Sequence, residues 1–209
     1  MTKIKSISVY CGSSCKIDKK YHAPTRELGA LLAQKGFRLV YGGGDTGLMG
    51  TISNSFMDAG GKALGITTDY LEKFEGRNPR VKNTKIVKTM GERINLLFQD
   101  ADAFIVLPGG FGTLEELFSV LAPKQIGLHK KPIVIANFFG YWDPLRHLLT
   151  RTIEDGFASE EDKKLYAFVD KIEDLIPTLL SFPPPQEKLP QRSGARRIRL
   201  PFPSWLPLC

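Results

Sequence analysis

Cysteine is scarce in this chain: three residues, Cys11, Cys15 and Cys209, in a length of 209. They are too few and too unevenly spaced for the disulfide framework of a small secreted domain. No apolar run approaches the roughly 20 residues needed to cross a bilayer. The segment from Met1 to Tyr10 lacks the charged start, apolar middle and small-residue cleavage site of a signal peptide. The three histidines, His22, His129 and His147, are scattered and share no metal-binding spacing. No metal and no cofactor is expected. A dense cationic face is missing too. The net charge is +7, but Lys188, Arg192, Arg196, Arg197 and Arg199 stand against Glu187 alone at the C-terminal end. The body is therefore only mildly basic, and neither nucleic acid nor a membrane is an expected partner. A soluble cytoplasmic protein is the reading these absences leave.

What is present is an ordinary globular composition, 42% hydrophobic and 24% charged, in a length suited to one domain. Residues 1–182 read as that domain. The stretch 183–209 breaks from it in composition, holding seven of the fourteen prolines and a cluster of arginines. It cannot bury enough apolar surface to offset its ordering entropy, and is expected to be disordered. Within the body, short apolar runs alternate with helical patterns. That pattern predicts an α/β, Rossmann-like fold, a mostly parallel sheet with helices on both faces. Strands are expected at 4–10, 37–41, 63–67, 84–88, 103–107, 132–136 and near 166–169. Helices are expected at about 23–35, 48–59, 92–99, 113–126, 145–154 and 172–180. A polar loop is expected from 68 to 83.

Two strands end in glycine-rich turns that lead directly into helices, at the sheet edge where ligands of open parallel sheets bind. The first, VYGGGDTGLMG from Val40 to Gly50, can expose amides for an anion over Gly43 and Gly44, or serve packing alone. It is neither the dinucleotide fingerprint in its usual setting nor a P-loop. The second, LPGGFGTLEE from Leu107 to Glu116, places Gly109, Gly110 and Gly112 between a strand and a helix. Thr113 and Glu116 have the spacing of a capping box, which predicts a cap at Thr113. That accounts for Thr113 and one glutamate but not for three glycines. A backbone so bare beside a helix N-terminus suits a phosphate, and Glu116 then falls where a nucleotide sugar would lie. Arg93 by itself reads as a helix-surface arginine pairing with Glu92 or Asp100.

MGERI (Met90 to Ile94) and PGGFGTLEE (Pro108 to Glu116), with CGSS after the first strand and QIGLHKKP further on, resemble the LOG family. Its members are cytokinin-riboside 5′-monophosphate phosphoribohydrolases, often mislabelled lysine decarboxylases. The likeness covers nearly the whole body and stops near Phe182. It implies hydrolysis of the N-glycosidic bond of a nucleoside 5′-monophosphate, such as AMP or the isopentenyl nucleotide, with Arg93 and Glu116 catalytic. It also implies a phosphate turn at Gly109, Gly110, Gly112 and Thr113, Met90 in the nucleotide pocket, and a homodimer with sites near the subunit interface. The chain departs from the family pattern at Gly91, Ile94 and Pro123, where His, Lys and Trp are usual, positions expected to flank the pocket. Molybdenum-cofactor carrier proteins share this superfamily fold, and a non-catalytic carrier is the alternative.

Overall fold

The computed structural model describes residues 4–182; the expectation for 183–209 lies outside the described residues. Seven strands form one sheet: β1 (Ser6–Tyr10), β2 (Arg38–Tyr41), β3 (Leu64–Thr68), β4 (Thr84–Val87), β5 (Ala103–Val106), β6 (Ile133–Ala136) and β7 (Ala167–Val169). Every pairing is parallel and the order is β4-β3-β2-β1-β5-β6-β7. Seven α-helices connect and follow them: α1 (His22–Gln34), α2 (Gly47–Asp58), α3 (Asp69–Glu75), α4 (Met90–Gln99), α5 (Phe111–Gln125), α6 (Asp143–Glu154) and α7 (Ile172–Leu180). None is long and apolar enough to cross a membrane.

The period of two along each strand divides the core between the sheet's faces. On one face Ile7, Val9, Leu39 and Ile105 pack with Leu28 and Leu32 of α1, Ile52 and Phe56 of α2, and Leu175 and Leu179 of α7. On the other, Tyr10, Phe104, Val106 and Ile135 pack with Leu97 of α4, Leu117 and Val120 of α5, and Leu145 of α6. The strands β1, β3, β5 and β6 are buried at every residue, whereas the edge strand β4 is partly exposed throughout. The continuous apolar runs of β5 and β6 follow from that double coverage. Each fully buried Leu, Ile or Phe contributes roughly 1.5–3 kcal/mol of transfer free energy.

Two expectations are corrected. The polar loop after β3 contains α3, which Thr68 caps by accepting from the Leu71 amide at 3.1 Å and which Gly76 closes at φ 72°. The helix after β5 starts at Phe111 rather than Thr113, with Gly110 as its N-cap.

The strand order places the site. From β1 the chain crosses to β2 on one side, and from β5 it crosses to β6 on the other. The loops leaving the carboxyl ends of β1 and β5 therefore part, and open a crevice at the point where the winding reverses.

Candidate functional site

Hydrogen bonds knit three loops around that crevice. The Gly12 amide donates to Pro108 O at 3.0 Å, and the Leu48 amide donates to Gly12 O at 2.9 Å. Thr46 Oγ1 donates to Ser13 O at 2.7 Å. These bonds bring the turns after β1, β2 and β5 into contact. A Cβ at Gly109 would overlap Thr113 Oγ1 and come within 2.9 Å of the Gly12 amide, so the fold itself requires that glycine. Gly110 and Gly112 differ. A Cβ at either would meet no protein atom within 4 Å. Both line the crevice, beside the first amides of α5, which have no intrahelical acceptor. A 15-residue helix presents its positive end there.

Because α5 begins at Phe111, Thr113 is its third residue and makes no cap, and Glu116 lies a turn inside the helix. The capping box of this region belongs to Thr89 and Glu92 at the start of α4. Glu116 is thus free of the capping role its spacing suggests. Arg93 is likewise no surface residue: it is 6% exposed and Glu116 is 7% exposed. Arg93 Nη1 donates to Glu116 Oε1 at 2.9 Å and Nε donates to Ile66 O at 3.1 Å. Glu92 serves the cap, while Asp100 pairs with Arg38 and Lys85.

The pair is held in place by an absence on β2's loop. A Cβ at Gly42 would overlap Arg93 Nη2 and lie 2.8 Å from Met49 Sδ. Burial pushes the Glu116 carboxyl above the usual carboxylate range, against the pull of the Arg93 charge and hydrogen bond. Glu115 next door adds to the rise. Below this pair, burial and the Glu116 charge also push the Cys11 thiol upward, so it stays neutral.

The crevice is a pocket of about 530 Å³. Its walls bring together Met90, Arg93, Gly109, Gly110, Gly112, Thr113 and Glu116. Gly43 and Gly44 are not in its lining. Gly43 sits at φ 85° with its carbonyl taken by the Asn78 amide at 2.9 Å, and Gly44 lies against Met49. The first glycine turn contributes through Gly42 instead. Gly91, Ile94 and Pro123 are outside the pocket wall itself: Gly91 and Ile94 adjoin Met90 and Arg93 on α4, and Pro123 lies in the last turn of α5. A second depression of about 570 Å³ runs between α1 and α2 and holds none of the candidate residues.

The pocket includes residues that sequence reasoning did not select, among them Tyr21, Leu71, Glu75 and Tyr141. Leu71 and Glu75 sit on the overlooked α3. Tyr141 arrives on the β6–α6 loop, where the aromatic run Phe138, Phe139, Tyr141 and Trp142 was the available signal.

Fold and site together define a doubly wound α/β protein with a glycine-lined helix N-terminus and a buried Arg–Glu pair in one crevice. A family model described as "possible lysine decarboxylase" matches residues 49–179. The cytokinin riboside 5′-monophosphate phosphoribohydrolase LOG of rice is 36% identical over 89% of this chain and 77% of its own length. The corresponding LOG1 of Arabidopsis thaliana is 35% identical, over 92% and 91% respectively. The chain belongs to the LOG family. Among solved structures, the molybdenum cofactor carrier protein of Chlamydomonas reinhardtii has a TM-score of 0.65 at 19% identity, covering 85% of this chain and 99% of that one. The molybdenum cofactor binding protein of Rippkaea orientalis also has a TM-score of 0.65, at 21% identity, over 87% and 98%. These two likenesses concern the fold.

Proposed function

We propose that the protein hydrolyses the N-glycosidic bond of nucleoside 5′-monophosphates, AMP or isopentenyl-AMP, releasing free base and ribose 5-phosphate. One observation carries this reading. The two motif glycines that packing does not require, Gly110 and Gly112, open the same pocket that the Arg93–Glu116 pair enters. The α5 amides then hold the 5′-phosphate, and the ribose extends toward Glu116. Cleavage of the C1′–N bond leaves positive charge on the sugar, which the Glu116 carboxylate stabilises in a site shielded from bulk water. Water attacks C1′ and gives its proton to Glu116, the departing base takes up a proton from solvent as it leaves, and Glu116 returns its own to solvent to close the cycle. Arg93 uses two of its five N–H donors on Glu116 and Ile66, so its planar fork orients the carboxylate and retains donors for sugar hydroxyls.

The direct test incubates the protein with AMP and, separately, isopentenyl-AMP, and separates the products chromatographically. Free base and ribose 5-phosphate are expected. Binding without release would return the non-catalytic carrier as the better reading. Gly112→Ala sharpens the test, because the methyl group meets no protein atom yet enters the cradle. Its expected effects have opposite signs: stability equal to wild type or up to ~1 kcal/mol higher, since Ala exceeds Gly in a helix, with KM for AMP raised about tenfold or more.

The homodimer belongs to the same proposal. Phe111 is 92% exposed and Phe118 39%, with half-buried Leu114 between them on one face of α5 beside the pocket. That apolar face suits a second copy of the chain. Light scattering is expected to give a dimer mass for the wild type and a monomer mass for Phe118→Glu. A monomeric wild type would remove the dimer from the proposal.

A further inference from the structure

Tyr141 has no role in the chemistry just described, yet its hydroxyl donates to Gly109 O at 2.7 Å. That carbonyl belongs to the peptide joining the two glycines of the phosphate turn. We propose that Tyr141 is a positioning residue for phosphate binding, locking the Gly109–Gly110 peptide in the orientation the anion needs. The inference rests on the phosphoribohydrolase reading and assigns it a residue outside the sequence motif.

A trans peptide holds its C=O and N–H in opposite directions. Fixing Gly109 O therefore fixes the Gly110 N–H, the first of the amides at the α5 N-terminus without an intrahelical acceptor. Between two glycines a peptide rotates with little steric penalty. A rotated peptide would turn a carbonyl oxygen toward the phosphate where an N–H should be, replacing attraction with repulsion. The rest of the turn is held by other means: Pro108 O accepts from the Gly12 amide, and the Thr113 side chain fills the space a Cβ on Gly109 would need. Only the peptide after Gly109 needs a clamp from outside, and the Tyr141 hydroxyl supplies it. A tyrosine has one O–H to donate. With that proton on Gly109 O, Tyr141 acts through the turn rather than as a donor to the phosphate.

The β6–α6 loop is built to present this ring. Asn137 Nδ2 donates to Asp143 Oδ1 at 2.9 Å and to Asp170 Oδ1 at 2.8 Å, while Asn137 Oδ1 accepts from the Trp142 amide at 2.7 Å. Tyr21 packs edge-on against Tyr141 with ring centroids 5.6 Å apart, and against Phe139 at 5.7 Å. Phe139 has φ 57°, a left-handed backbone that a non-glycine residue keeps only when its surroundings hold it there. Burial, with Tyr21 adding, pushes the Tyr141 hydroxyl upward, so it remains a donor throughout the working pH range.

The test compares wild type with Tyr141→Phe, which removes the hydroxyl and keeps the ring. Calorimetric affinity for ribose 5-phosphate is expected to fall about five- to tenfold, the size of one lost hydrogen bond. The KM for AMP should rise by a similar factor with kcat within twofold of wild type, and affinity for adenosine, which lacks the phosphate, should not change. Unchanged affinity for ribose 5-phosphate and unchanged KM overturn the assignment, as does an equal loss toward adenosine. A wild type that neither binds ribose 5-phosphate nor releases base overturns the phosphoribohydrolase reading and this assignment with it. A wild type that does both beside an unaffected Tyr141→Phe overturns the assignment alone.

Discussion

Glu116→Gln is expected to lower turnover about 10³-fold or more while AMP still binds and the protein, though less stable than wild type, still folds. The activity arm follows from the charge. Glutamine keeps the size of the side chain and an oxygen to accept from Arg93, but it neither balances positive charge on the ribosyl ring nor takes a proton from water. Losses of this kind cost about 10²–10⁴ in rate. The stability arm follows from burial. Because burial holds the Glu116 carboxyl above its ordinary range, the folded state binds its proton more tightly than the unfolded chain does. Stability from that group is complete below the unfolded pKa, about 4.3, and declines as pH rises through the folded value. At pH 8 glutamine removes the cost of that buried carboxylate but leaves the buried Arg93 guanidinium without its counter-charge, so the variant is expected to melt below wild type. Rate, AMP binding by calorimetry and thermal melting at pH 8 check all three parts. Wild-type turnover in the variant would sink the catalytic role of Glu116; loss of binding together with folding would mean that the side chain is structural.

The same linkage gives the pH profile its direction. With the carboxylate as the working form, kcat is expected to fall on the acid side, at a pH above the ordinary carboxylate range. An activity limb at pH 4 or lower would place the working group elsewhere.

How much of this was legible in the sequence depended on whether neighbours in space were also neighbours in the chain. The β5 and β6 runs could be read because a doubly covered strand is apolar at successive positions, and Gly109 to Gly112 because a strand, a stop and a helix follow one another directly. Thr113-x-x-Glu116 has the spacing of a capping box, but spacing does not say where a helix starts. Gly110 carries the backbone into α5 two residues early, and Thr89 and Glu92 form the box instead. The helix α3 was lost in its shortness: Tyr70, Leu71 and Phe74 recur at helical spacing, but seven residues make barely two turns, and none of them is buried. Arg93 illustrates the limit best. From its helix alone it faces Glu92 and Asp100, and its burial depends on Ile66, Gly42 and Glu116, which come from three other segments. The family resemblance marked Arg93 where local pattern did not. Tyr141 contacts its turn from 32 residues away, a separation that no local pattern spans.

Removing the arginine is the second large effect, and its dependence on pH separates it from damage to the fold in general. Arg93→Met takes away the partner of a buried carboxylate and the donor to Ile66 O. Breaking a buried pair in this way costs about 3–5 kcal/mol, and losing its hold on Glu116 lowers kcat about 10²-fold or more. The stability deficit should not be constant. Without Arg93 nothing opposes the rise that burial imposes on Glu116, so its folded pKa moves further up and protonation relieves the uncompensated charge. The deficit against wild type is therefore expected to be largest near pH 8 and to shrink as pH falls toward 5. Denaturant unfolding at the two pH values measures it, and an equal deficit at both would show that lost packing rather than charge governs the effect. Gly42→Ala reaches the same guanidinium without touching the pair. The atoms its methyl group would meet, Arg93 Nη2 and Met49 Sδ, are ends of flexible side chains, so the backbone is expected to survive while the guanidinium shifts off Glu116. A folded Gly42→Ala protein with at least tenfold lower kcat would locate the function in the aim of Arg93 rather than in its charge alone. Wild-type turnover in that variant would mean that the arginine's exact placement does not matter to the chemistry.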